Sequence, residues 1–189
     1  MLNTSDGNLL VAGTFTERPD NTTVDTDALL IKLTPDGGDI LWDWIYGDFG
    51  VNETAAAVIE TPDGGYLFAG GETAYPGGVD DTDAWLVATD ADGAVAWSRT
   101  FGGVNPGDKA TSLIESAPGE FVFAGTFNAT VSGRTATTDA WAVKLGGPKP
   151  TPTATPPTAT PPDARTHSGT FQALESTDHL PEAAGTGRN

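Results

Sequence analysis

Carboxylates are the residues of this chain best equipped for chemistry, and they come in short runs: Asp25 and Asp27, then Asp80, Asp81 and Asp83, then Asp108 and Asp139. Clustered carboxylates beside backbone carbonyls suit a hard cation such as Ca²⁺, which collects many oxygen ligands. Asp80, Asp81, Asp83 and Asp108 form the candidate metal set. A second reading stands beside it. Thr26-Asp27-Ala28, Thr82-Asp83-Ala84 and Thr138-Asp139-Ala140 are one phrase repeated, and a carboxylate repeated in register suits a structural task, accepting backbone N–H bonds where a strand begins. Neither Asp90-Ala91-Asp92-Gly93 nor the Asp-Thr-Asp runs complete an EF-hand loop.

Other catalytic equipment is thin. There is no cysteine, so thiolate chemistry and disulfides are excluded. Both histidines, His167 and His179, lie near the C-terminus, which leaves the rest of the chain without an imidazole base. The glycine-rich stretches sit at turns and strand ends with no helix following, so none is a phosphate-binding loop. A non-enzymatic protein is expected. Among the tryptophans, Trp42, Trp85, Trp97 and Trp141 recur at repeat positions and are expected to pack between neighbouring units. Trp44 has no aromatic counterpart at Arg99 and is the candidate ligand platform. N-x-S/T sequons at Asn3, Asn21, Asn52 and Asn128 point to a glycosylated exterior, the alternative being coincidence in a Thr-rich chain.

These residues are placed by a repeat. Asp6-Gly7-Asn8-Leu9-Leu10-Val11-Ala12-Gly13-Thr14 aligns with Asp63 to Gly71 and with Pro118 to Thr126, a recurrence about every 55 residues that signals a solenoid or a propeller. The middle copy holds short β-rich segments over Thr54 to Glu60, Tyr66 to Glu72, Asp83 to Thr89 and Ala94 to Phe101, and no stretch keeps a helical period. Pro62-Asp63-Gly64-Gly65 and Asp90-Ala91-Asp92-Gly93 join them as hairpins. Four antiparallel strands per repeat predict an all-β chain of β-propeller blades. Residues 1–147 then supply about two and two-thirds blades of an incomplete ring, in repeats of about 1–60, 61–115 and 116–147. Tight turns one–two and three–four share one end. The long segments Thr14 to Thr26, Thr73 to Thr82 and Thr126 to Thr138, with Gly47 to Glu53 and Gly102 to Lys109, share the other, where binding is expected.

From Pro148 the composition turns to Thr and Pro, so 148–162 reads as a semi-rigid stalk and the polar 163–189 as a disordered tail. Net charge is −17, with 9 Lys+Arg against 26 Asp+Glu, which argues against nucleic acid and anionic membranes as partners. Acid spread over loops is the surface of a protein working in concentrated salt, a halophilic reading whose alternative is an ordinary acidic extracellular domain. No apolar run is long enough to cross a bilayer, and Met1 to Asp6 lacks the features of a signal peptide.

The phrases Leu67-Phe68-Ala69-Gly70-Gly71, Thr82-Asp83-Ala84-Trp85-Leu86-Val87 and Asp92-Gly93 through Trp97 to Phe101-Gly102-Gly103 resemble the SBBP-type β-propeller repeats of bacterial and archaeal surface proteins, with a kelch-like Gly-Gly pair. The Thr/Pro segment resembles the spacer before an anchor in archaeal surface proteins. The resemblance implies a non-catalytic extracellular or cell-surface module for ligand binding, adhesion or envelope structure, a piece of a larger protein, with a surface glycan or protein as ligand. Self-association through open blade edges is a further expectation. The alternative is a partial blade set of a propeller enzyme, quinoprotein-type or polysaccharide-active, whose catalytic residues lie in other blades.

Overall fold

A computed structural model describes residues 1–18, 24–74, 81–103, 107–129 and 137–146. The expected stalk, 148–162, and tail, 163–189, lie outside the described residues. Every regular element described is a strand: β1 (Leu2–Asn3), β2 (Leu9–Glu17), β3 (Asp25–Leu33), β4 (Ile40–Tyr46), β5 (Asn52–Glu60), β6 (Tyr66–Ala74), β7 (Asp81–Thr89), β8 (Val95–Phe101), β9 (Lys109–Ala117), β10 (Glu120–Ala129) and β11 (Thr137–Leu145). The all-β expectation holds, and the four strands read from the middle repeat match β5 to β8 to within two residues at each end.

The strands fall into antiparallel meanders, β1 to β4, β5 to β8 and β9 to β11, here called units one, two and three. One parallel bridge, Thr26 to Asn52, joins unit one to unit two. The equivalent link to unit three is a hydrogen bond of 2.8 Å from Asp108 N to the Thr82 carbonyl.

Local sequence explains the hairpins. In Thr4-Ser5-Asp6-Gly7 and Thr61-Pro62-Asp63-Gly64 the Gly N–H bonds back to the Thr carbonyl, and the Thr hydroxyl donates to the Asp carboxylate. Thr34-Pro35-Asp36-Gly37 repeats the pattern on the β3–β4 side. Gly7, Gly37, Gly64 and Gly93 all have φ between 73° and 89°, a left-handed geometry that side chains resist. Asp36, held by the Thr34 hydroxyl and the Gly38 N–H, titrates below the ordinary carboxylate range.

Packing follows strand alternation, because successive side chains leave opposite faces of a sheet. Unit two presents Tyr66, Phe68, Trp85 and Val87 on one face and Leu67, Ala69, Ala84 and Leu86 on the other, all buried. The first face meets Leu10, Ala28 and Leu30 of unit one. The second meets Ala110, Leu113 and Phe123 of unit three. Aromatic contacts brace each unit and cross the junctions: Phe68 is edge-on to Trp85 within unit two, with ring centroids 5.5 Å apart, and Phe123 repeats this against Trp141 within unit three at 5.4 Å. Tyr46 of unit one meets Phe68, and Phe101 of unit two meets Phe123 at 5.2 Å. Lys32 crosses the first junction. Its Nζ donates to Asp6 Oδ2 at 2.6 Å and to the Tyr66 hydroxyl at 2.9 Å, and this contact holds the Asp6 carboxyl far below its usual range.

Candidate functional site

The strands bring the acids together in pairs at the two junctions. At the first, Asp27 of β3 and Glu53 of β5 converge over Gly47, at the exit of β4: a Cβ there would collide with Asp27 Oδ1 and stand 2.7 Å from Glu53 Oε2. Glu53 is 2% exposed, and its Oε1 accepts the Asp48 N–H at 3.2 Å while Oε2 has no hydrogen-bond partner. Asp25, 1% exposed, accepts the Gly50 N–H at 3.2 Å on Oδ1 and also leaves Oδ2 without a partner.

The second junction repeats this plan. Asp83 and Asp108 converge over Gly102, where a Cβ would collide with Asp83 Oδ1 and stand 2.8 Å from Asp108 Oδ2. Buried Asp108 accepts the Gly103 N–H at 3.1 Å and the Asn128 N–H at 2.6 Å. Only glycine leaves room for both carboxyls at either place.

Burial decides the protonation of these acids. It raises Glu53 to about 8, with the negative charges of Asp27, Glu72 and Asp48 adding to the shift against the Asp48 N–H bond, which opposes it. Burial raises Asp27 to about 6, helped by Asp25 and Asp48. Glu72 moves up through burial and the charges of Asp48 and Asp83, and Asp83 through burial and the charges of Asp81 and Asp108. At the first junction both Asp27 and Glu53 therefore hold their protons more tightly than free carboxyls do.

The structure separates the residues singled out from sequence. Asp80 and Asn21 lie outside the described residues. Asp81, Asp83 and Asp108 do gather at the second junction, but among the described residues no group of three or more His, Cys, Asp or Glu is disposed to hold a metal ion. The expected strand-start role belongs to neighbours of the repeated Asp: it is Asp25 and Asp108 that accept the backbone N–H groups, while Asp83 Oδ1 is left without a partner. Asp139, their counterpart in unit three, is exposed.

Trp44 is half-buried. Its Nε1 donates to the Asp92 carbonyl at 2.7 Å and its ring lies against Gly93, so its polar handle and one flank are committed to holding β4 on the β7–β8 turn. Tyr46 beside it donates its hydroxyl to the Gly93 carbonyl at 2.8 Å. Of the sequons, Asn3 is exposed, whereas Asn52 and Asn128 are half-buried at the junctions, Asn52 accepting the Thr26 N–H on Oδ1 at 3.1 Å.

Glu53, Glu72 and Gly47 were not singled out from sequence, although Glu53 stands at the same repeat position as Asp108 and Gly47 at that of Gly102. Phe49 was also missed. It is 65% exposed on the β4–β5 loop, between Asp48 and Gly50, whose N–H groups are the ones bound by Glu53 and Asp25. A flat apolar ring is thereby presented to solvent on a backbone held from below. Compared with known proteins, the chain matches no family model and no curated protein.

Proposed function

We propose that the three units are blades of a β-propeller and that the chain is a non-catalytic extracellular or cell-surface module, whose long-loop end binds a surface glycan or a protein ligand. Support comes from antiparallel meanders stacked face to face, with interior glycines and acids in register. Phe49 carries the binding part of the reading. An exposed aromatic on a loop pinned by two buried carboxyls is preorganised to stack on an apolar sugar or peptide surface, because little ordering remains to be done on binding.

A polysaccharide-active enzyme is the second reading, favoured by one observation, the neighbouring carboxyls of Asp27 and Glu53 with unequal raised affinities for protons. Two facts weigh against it. The pair has a counterpart at the second junction, and Glu53 is sealed from solvent.

Calorimetric titration of the full chain with a panel of envelope polysaccharides, alongside a reducing-end assay, tests the proposal. Binding without cleavage is expected, weakened about tenfold or more by Phe49→Ala and unchanged by Asp92→Asn at the opposite end. Equal effects of the two substitutions would refute the choice of end. Cleavage abolished by Glu53→Gln would install the enzyme reading instead.

A further inference from the structure

Each internal junction seats the aromatic face of one unit on the small-residue face of the unit before it, and the two ends of the described stack carry those same faces uncovered. On unit three, Val122, Ala124, Ala140 and Ala142 occupy the positions that Leu67, Ala69, Ala84 and Leu86 fill in unit two. The unit-two set is fully buried under unit three, whereas Ala140 and Ala142 are exposed and Val122 and Ala124 only half-buried. Ile114 makes the comparison sharpest. Its counterpart Ile59 packs into the second core cluster, while Ile114 is 56% exposed.

The opposite end mirrors this. Leu9, Val11, Leu29 and Ile31 of unit one stand where Tyr66, Phe68, Trp85 and Val87 stand in unit two. They are half-buried and belong to neither core cluster. On the unit-three face Lys144 is already paired with Glu120 at 2.6 Å, in the place where Lys32 pairs with Asp6, and on the unit-one face the exposed Asp43 stands across the strand from Ile31, at the rim on β4.

We propose that two copies of this chain dock head to tail, the Leu9, Val11, Leu29 and Ile31 face of one covering the Ile114, Val122, Ala124 and Ala142 face of the other. The contact continues the internal junction between chains, so it joins sheet faces and not strand edges. It is heterologous, and a heterologous contact either closes a ring or grows. Because each copy carries a net charge of −17, salt that screens this repulsion strengthens the docking.

Light scattering behind size exclusion, on the full chain in molar KCl, tests it. A mass that is a multiple of 19.4 kDa is expected, with dissociation towards single chains at low salt. Ile114→Arg, at a site already exposed, and Ile31→Arg should each abolish the closed assembly while keeping the β-sheet circular dichroism of the parent. Mixed together they should associate again, since each retains the face that the other lacks. Should Ile31→Arg fail to fold, Val11→Lys takes its place on the same face. A single-chain mass at every salt and protein concentration would overturn the proposal. So would an assembly that persists unchanged in Ile114→Arg, or one in which the mixture of the two variants stays monomeric.

Discussion

A glycine and two acids compress the electrostatics of this protein into one small volume. Glu53 binds its proton far more tightly in the folded chain than in the unfolded one, and Asp27 behaves likewise. The folded state therefore holds more protons than the unfolded state between the ordinary carboxylate range and about 8. The stabilisation linked to those protons is complete below the unfolded pKa values and is lost as pH rises through the folded ones. The melting temperature should be highest near pH 5 and fall by several degrees by pH 9, with Glu72 and Asp83, whose carboxyls are raised as well, adding to the slope. Glu53→Gln keeps the size and removes the titration. It should flatten the profile and raise the melting temperature at pH 8 by roughly 5 °C, an outcome that scanning calorimetry across pH checks directly.

Among the elements, β5 and β9 share a device that their sequences disguise. Each carries a bulge, at Ala56 and at Thr111, opposite the Ala-Gly phrase of the next strand. The bulged strand brings its backbone so close that a Cβ at Gly70 would collide with the Thr54 carbonyl, and one at Gly125 with the Lys109 carbonyl. Gly13 belongs to the same phrase, yet nothing lies within 4 Å of a Cβ there, because β1 pairs only with Leu9 and Leu10. Gly70→Ala should cost about 2–4 kcal/mol and Gly13→Ala less than about 0.5 kcal/mol, measured by urea unfolding. Equal costs would mean that the phrase is kept for strand conformation and not for close approach. The turns add an independent contribution. Replacing Gly64 by Ala forces φ near 85° on a side chain and should cost about 1 kcal/mol.

Across the whole molecule, stability rests on the two layers between units and not on any one sheet. Phe68 is the pivot of the first, fully buried against Trp85 on one side and Tyr46 on the other, with Tyr46 ring centroids 5.0 Å away. Phe68→Ala should cost about 3–5 kcal/mol and lower the melting temperature of units one and two together, since both lose the same contact. Net charge acts at this scale too. With 26 acidic residues against 9 basic ones, self-repulsion opposes compaction, so the unfolding midpoint should climb as KCl is raised. A midpoint insensitive to salt would show that the charges are spaced too widely to matter.

How much of this was legible in the chain follows from which interactions are local. Turn chemistry is local: Thr-x-Asp-Gly carries its own hydrogen bonds and its own left-handed residue, so the hairpins and the strand boundaries of β5 to β8 could be read residue by residue. The repeat then announced that the units are alike. What spacing cannot carry is which atoms meet across a junction. Trp44 was legible as unusual but not as bound to the Asp92 carbonyl, because that contact joins strands forty-eight positions apart. The acids were legible as a group. Their division into pairs, with Glu53 opposite Asp27 and Asp108 opposite Asp83, depends on a glycine that lets two sheets close over it. The sequence by itself determined the all-β class, the repeat and its turns, since each follows from alternation and backbone preference within a few residues. Only the tertiary structure decided which face of each unit is covered, which carboxyls lose water, and therefore which protons the fold retains.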